Sequence, residues 1–221
     1  MNNLPYIEMN EELTSIKKNL RDYSNPIFIS GKAGMGKTRL ISEISKWYLE
    51  HFPKDRILDF KTELSISNFK RESVFFNDIL LYHQILIIDN FAFFISLVTK
   101  EKAMHLINKA VNSNLKIIIA SSSIVKLDLN NLNFKSYLHY ELRAPSKHVL
   151  IQFLRDGFGE IGEIPYLEEL LEWFVINVPK KSFRESENLL FVIWVNHNLY
   201  NLNTFNRQLA NEVISTHKFK L

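Results

Sequence analysis

Up to about residue 142 the chain alternates between two patterns. Short runs rich in Ile, Leu and Phe alternate with longer stretches whose apolar residues recur every third or fourth position. The short runs, Pro26–Ser30, Arg56–Phe60, Gln84–Ile88, Leu115–Ala120 and Tyr137–Leu142, have strand length and strand composition. Helical spacing is found in Asn10–Arg21, with Leu13, Ile16 and Leu20 on one face, in Lys37–His51 before Pro53, in Ile66–Leu81 and in Thr99–Asn112. Pro26–Ser30 and Gln84–Ile88 are apolar enough to be covered on both faces, and the alternation of strands with helices predicts βαβ crossovers and a five-stranded parallel sheet. Ile124–Asn133 reads as loop.

Beyond Ala144-Pro145-Ser146, where Ser146 is placed to cap a helix, the strand pattern stops. His148–Asp156, Tyr166–Val178, Phe183–Asn196 and Thr204–Thr216 are helical patterns separated by Gly157, Gly159, Pro165, Pro179 and an Asn-rich turn. The expected organisation is an α/β domain over 1–144 and a small all-helical domain over 145–221.

Composition narrows the class. A chain of 221 residues with 46% hydrophobic content can bury a full core. The absence of cysteine excludes disulfides and Cys-ligated zinc and suits a reducing, cytoplasmic setting. Met1–Glu12 lacks the apolar core of a signal peptide, and the longest apolar run, Ile85–Val98, is broken by Asp89 and Asn90, so no membrane span is expected. A net charge of +3 with interspersed acids offers no dedicated basic arm for nucleic acid. The seven histidines show no metal-ligand spacing and are expected at the surface or at helix caps.

Candidate chemistry centres on Gly31-Lys-Ala-Gly-Met-Gly-Lys-Thr38, which fits G-x-x-x-x-G-K-[ST] between a strand and a helix. Gly31, Gly34 and Gly36 let the backbone bend so that its N–H groups face phosphate oxygens, and the start of the following helix adds partial positive charge. Gly31, Gly34, Met35, Gly36, Lys37, Thr38 and Arg39 are therefore the expected contacts to ATP or ADP. Lys37 would reach the β- and γ-phosphates and the Thr38 hydroxyl would ligate Mg²⁺.

The strand Gln84–Ile88 runs into Asp89, a carboxylate at a carboxyl edge, where it would hold Mg²⁺ opposite Thr38. Asn90 stands where many ATPases place a second acid. An amide can position water but cannot take its proton, so slow hydrolysis is expected from a catalytic set of Lys37, Asp89 and Asn90. Ser122, just past the strand Leu115–Ala120, is a candidate γ-phosphate sensor, and the alternative that the serines only open a loop stays open. Phe91, Phe93, Phe94, Trp173, Phe174, Phe191 and Trp194 are expected to be core and domain-interface packing.

Asn25-Pro-Ile-Phe-Ile-Ser-Gly-Lys-Ala-Gly-Met-Gly-Lys-Thr-Arg-Leu-Ile41 resembles the opening of the AAA+ domain of the bacterial replication initiator DnaA. Pro179–Leu190 is similar to that family's sensor 2 helix, with Arg184 at the position of the sensor arginine. The resemblance implies an AAA+ core followed by a helical lid, with Arg184 projecting toward the phosphates; the alternative is a solvated arginine paired with Glu187. The Asp89-Asn90 pair is similar to that of Hda, the short DnaA homologue that regulates the initiator. The chain reads as a core and lid without the family's helicase-recruiting and duplex-DNA-binding domains. Asn3-Leu4-Pro5-Tyr6 keeps only part of a clamp-binding peptide, and Tyr137 stands where the family has its arginine finger, next to Lys135.

The resemblance implies a regulator acting on DnaA, with the sliding clamp as a further partner. A helicase loader or other DNA-remodelling ATPase, and a nucleotide-locked adaptor without hydrolysis, are the alternatives, and self-association is open.

Overall fold

The computed structural model describes residues 10–23, 25–60, 82–122, 134, 136–159, 164–177 and 182–216. The expectations for Asn3–Tyr6, Ile66–Leu81, Ser123–Asn133, Lys135 and Pro179–Lys181 lie outside the described residues. The chain divides into two compact units that meet in sequence at Arg143 and Ala144.

The first unit contains α1 (Asn10–Asp22), β1 (Ile27–Ser30), α2 (Lys37–His51), β2 (Ile57–Phe60), β3 (Ile85–Ile88), α3 (Phe91–Val98), α4 (Lys100–Asn112), β4 (Lys116–Ser121) and β5 (Leu138–Glu141). The five strands form one sheet in the order β2-β3-β4-β1-β5. Every pairing is parallel. Each strand therefore ends at the same edge. β1 leads toward β2 on one side of the sheet and has β5 on its other side, which makes its carboxyl end a switch point where a crevice opens for ligands.

Burial follows the period of two. Phe28, Leu86, Ile88, Ile117 and Ile119 belong to one cluster with Phe91 and Phe94 of α3 and Leu106 and Ile107 of α4. Ile27, Ile29, Ile85, Ile87 and Ile118 alternate to the opposite face and are each 1% exposed or less. Full burial of such side chains contributes about 1.5–3 kcal/mol apiece. Both faces are thus covered, as the unbroken apolar runs require.

One helix has no counterpart among the expected elements. The run after β3, to which the sequence pattern assigned no element, is the helix α3, with Phe91, Phe94 and Val98 as its buried stripe. Asn90 makes the turn: it sits in the left-handed region at φ 65° and its side-chain oxygen accepts from the Phe93 amide at 3.3 Å. Asparagine tolerates that conformation better than other residues with a β-carbon. Phe93 points outward at 38% exposure, so the expectation of core packing fails for that ring.

Among the described residues the second unit is all-helical: α5 (Lys147–Gly159), α6 (Leu167–Asn177), α7 (Phe183–Leu199) and α8 (Arg207–Thr216). Gly157 does not end the first of these, which runs on to Gly159 so that Phe158 can be buried. The helix absorbs the ~1 kcal/mol that glycine costs there. Its core includes Leu154, Phe158, Leu170, Leu171, Phe174 and Ile193, with Trp173 packed edge-on to Phe205. Phe191 is the exception, exposed yet in ring contact with Trp194.

His197 is fully buried, contrary to the surface or cap position expected of the histidines. Its Nδ1 donates to the Ile193 carbonyl at 2.9 Å and its Nε2 accepts from the Asn206 amide at 3.0 Å. Stacked on Phe205 and next to Tyr166, it ties the end of α7 to the start of α8. Among the described residues no helix is long and apolar enough to cross a membrane.

Candidate functional site: the phosphate loop

β1 ends at Ser30, and the chain then turns over itself before α2 begins. Gly31, Gly34 and Gly36 have φ of 150°, 76° and 88°, values that favour glycine. A β-carbon on Gly31 would also lie 2.8 Å from the Leu142 carbonyl oxygen. Met35 is buried at 7%, an apolar pin within an otherwise polar loop.

The N-cap of α2 is Gly36, and no side chain caps the helix. The positive end of the helix dipole lies behind that first turn. Lys37, the first residue of α2, folds back: its Nζ donates to the carbonyls of Gly31 at 2.5 Å and Lys32 at 2.8 Å. Thr38 is exposed and Arg39 half-buried.

The strand order brings the other candidates to this edge. β4 lies between β1 and β3. Ser30 is in register with Ser121, and Ile88 with Ile119. Asp89 follows β3 and is buried, at 7% exposure. The strand β4 extends one residue further than the apolar run, to Ser121, which is fully buried, while Ser122 is the exposed residue just beyond. Gly31, Asp89 and Ser122 thus all lie at or just past the carboxyl ends of adjacent strands.

Ser30 also contacts β5 through its side chain, Oγ to His139 Nε2 at 2.8 Å. Asn25, the first residue of the quoted motif, accepts from Ser136 Oγ through its side chain and from Asn19 Nδ2 through its carbonyl. The Asn-Pro pair therefore fastens the entry of β1 to α1 and to the segment before β5. Tyr137 packs edge-on against Phe28 and remains 44% exposed.

Thr38 and Asp89 offer the hard oxygen donors that Mg²⁺ takes, one or two from protein and the rest from phosphate and water. Among the described residues no group of three or more His, Cys, Asp and Glu side chains is gathered as a metal site. A dedicated all-protein metal cage is therefore not what the donor set resembles.

Arg184 belongs to the helical unit, at the second position of α7. That helix opens with a capping box: Ser182 Oγ accepts from the Glu185 amide, and the Glu185 carboxylate accepts from the Ser182 amide at 2.8 Å. Arg184 is exposed, and no ion pair to Glu187 forms among the described residues.

The family model described as the bacterial DnaA ATPase domain matches residues 9–141, more than half of the chain. The chain belongs to the DnaA ATPase family. The chromosomal replication initiator DnaA of Deinococcus radiodurans is 28% identical over 203 residues, covering 86% of this chain and 43% of that protein. The chain thus spans less than half the length of that relative.

Among solved structures, domain III of the Thermotoga maritima DnaA superposes with a TM-score of 0.70 at 20% identity, covering 97% of this chain and 94% of that one. AMPPCP-bound DnaA from Aquifex aeolicus gives a TM-score of 0.64 at 18% identity, covering 99% of this chain and 67% of that one. These likenesses establish the AAA+ fold for the DnaA-family chain.

Proposed function

We propose that this DnaA-family chain binds ATP or ADP with Mg²⁺ at the phosphate loop and regulates initiation of chromosomal replication by nucleotide-dependent contact with DnaA, in the manner of Hda. The sliding clamp is the second expected partner, and the cytoplasm the site of action. One observation carries the nucleotide reading: three glycines at positive φ lead into an uncapped helix whose first residue is Lys37. The AMPPCP-bound relative from Aquifex aeolicus supports it.

On this reading Lys37 leaves the carbonyls of Gly31 and Lys32 for the β- and γ-phosphates, and the α2 amides take the remaining oxygens. Thr38 and Asp89 would hold Mg²⁺, which supplies charge neutralisation between the phosphates. Ser122, and Arg184 from the lid, are the proposed γ-phosphate and lid sensors. Lys37→Ala should lose most affinity for ATP and ADP in calorimetric titration while keeping its melting temperature. Unchanged dissociation constants in that folded variant would sink the nucleotide site.

The regulatory role has its own test. A nucleotide-dependent complex with DnaA, seen as co-elution together with altered ATP turnover by DnaA, is expected. A chain that binds nucleotide yet leaves both unchanged would remove that role.

A second reading, a nucleotide-locked adaptor without hydrolysis, is favoured by Asn90. Its Oδ1 caps α3, and an amide so engaged is poorly placed to activate water. Turnover below about 1 s⁻¹, the low end of ordinary enzymes, is expected on both readings.

A further inference from the structure

α2 starts at the phosphate loop and ends at His51, so its last turns lie at the opposite, amino edge of the sheet. There cations are held by rings instead of carboxylates. Lys17 and Arg21 of α1 lie over the Trp47 ring, at 5.6 and 5.9 Å from its centroid. Lys116, the first residue of β4, lies over Tyr48 and Phe52 at 5.9 and 5.6 Å. Trp47 and Phe52 are in edge contact at 6.3 Å, so the three cations border one continuous set of rings. Backbone pairing extends the edge: the Gln84 amide donates to the Arg56 carbonyl and the Gln84 carbonyl accepts from the Lys116 amide, each at 3.0 Å.

Residues 17–22, 46–56 and 116 hold seven Lys and Arg against three Asp and Glu, a formal +4, where the whole chain carries +3. The excess of positive charge therefore sits at this edge. Among the described residues Lys17, Arg21 and Lys116 make no ion pair, and Asp55 takes the Tyr48 hydroxyl at 2.5 Å. A ring holds a cation in place without cancelling its charge and leaves its donors open to an anion. The helix dipole accounts for Arg21 in the last turn of α1, but not for Lys17 a turn earlier or for Lys116 on a strand.

We infer that this edge is a docking surface for an acidic segment of a partner protein, whose carboxylates pair with Lys17, Arg21 and Lys116. The inference does not depend on the phosphate-loop reading. The Arg21 guanidinium can take a carboxylate on two parallel N–H groups. Nucleic acid fits less well. A duplex brings one charge every ~1.7 Å, and the exposed Asp22 and Glu50 stand among the cations, whereas separate carboxylates can be spaced to avoid them. Trp47 is 9% exposed and Tyr48 fully buried, so neither offers a face on which a base could stack.

Fluorescence anisotropy of a short labelled poly-L-glutamate peptide and of a labelled DNA duplex of equal charge, at low ionic strength, tests this. The parent should bind the peptide more tightly than the duplex. Lys17→Gln/Arg21→Gln/Lys116→Gln should bind the peptide about tenfold more weakly, three pairs being lost together, and should melt near the parent's temperature. A control, Lys102→Gln/Arg143→Gln/Lys147→Gln, removes the same charge at exposed residues elsewhere and should bind like the parent.

Equal weakening in the two triple variants would reduce the effect to net charge and overturn the inference. Tighter binding of the duplex through the same three cations would make the edge a nucleic-acid surface instead. A parent that does not bind the peptide, or a folded site variant that binds it like the parent, would leave these cations a structural role only. If the triple site variant does not fold, Lys116→Gln alone should weaken peptide binding about twofold, and unchanged affinity there overturns the inference. Lys37→Ala should bind the peptide like the parent, so this surface and the nucleotide site stand or fall separately.

Discussion

The amide of Leu142 donates to the carbonyl of Ser30 at 2.8 Å, and the carbonyl of the same Leu142 stands 2.8 Å from the place a β-carbon on Gly31 would occupy. The end of β5 is thereby laid against the first residue of the phosphate loop. Backbone cannot yield as a flexible side chain does, and Gly31 is also at φ 150°. Gly31→Ala should destabilise the first unit by roughly 1–3 kcal/mol and weaken nucleotide binding. Gly157→Ala is the contrast: it lies within α5 with nothing within 4 Å of a new β-carbon, and should stabilise by up to about 1 kcal/mol. Urea denaturation of the two variants reads both signs.

Asn90 joins an unusual backbone angle to a helix cap, and substitutions separate the two. Asn90→Ala loses the cap and keeps the strain, so a loss of about 1–2 kcal/mol is expected in thermal or urea unfolding. Asn90→Asp keeps an oxygen for the Phe93 amide and adds a base beside Asp89. Its stability should stay near the parent's. If the amide is what limits hydrolysis, its steady-state ATP turnover should rise, and an unchanged rate would place the limit elsewhere.

Within α7, Ser182 and Arg184 should behave oppositely. Ser182→Ala removes an acceptor used by the Glu185 amide and should cost about 1 kcal/mol whether or not nucleotide is present. Arg184→Ala breaks no ion pair with Glu187, so its effect on the nucleotide-free protein should stay within about 0.5 kcal/mol. Its expected effect is on nucleotide affinity and on nucleotide-induced protection of the lid in hydrogen exchange. If both match the parent, the sensor role is wrong.

Acid should weaken the helical unit through one identifiable pair. Arg155 on α5 grips Glu168 on α6 with two hydrogen bonds of 2.7 Å, and this hydrogen bonding holds the Glu168 carboxyl below its usual value of 4.5. A lowered folded value means the contribution is complete above that usual value and is lost as pH falls through the lower one. Both side chains are substantially exposed, at 41% and 62%, so the contribution is small and screened by salt. Glu168→Gln should flatten the acid limb of the stability profile slightly at low ionic strength and have no visible effect at high salt.

The sheet was legible because its central strands β1, β3 and β4 are buried along nearly their whole length, and the phosphate loop because its glycines are spaced for one backbone path. Short-range pattern stopped being sufficient where one residue changes the direction of the chain. Nothing in Ile85–Val98 announces that Asn90 adopts a left-handed turn and converts a strand into a helix start, since both halves of the run are equally apolar. The extent of α5 was misjudged for the opposite reason: Gly157 looks like a terminator, yet burial of Phe158 carries the helix past it. His197 was invisible as a buried group because its surroundings come from elsewhere in the chain. Asn206 supplies its hydrogen-bond partner and Phe205 stacks on its ring.

The central place of β1 between β4 and β5 dictates an order of assembly. β2 and β3 pair early, but Ile27 must wait for Ile118 on one side and for Leu138 on the other. Loop-closure entropy has to be met for both of those distant pairings before β1 is held. On the ribosome the glycine-rich loop Gly31–Thr38, though made before β2, β3, β4 and β5, can take its shape only after Glu141 has emerged. Nascent chains halted before that point should expose Ile27–Ile29 to chaperones, and competence to bind nucleotide should appear abruptly with chain length.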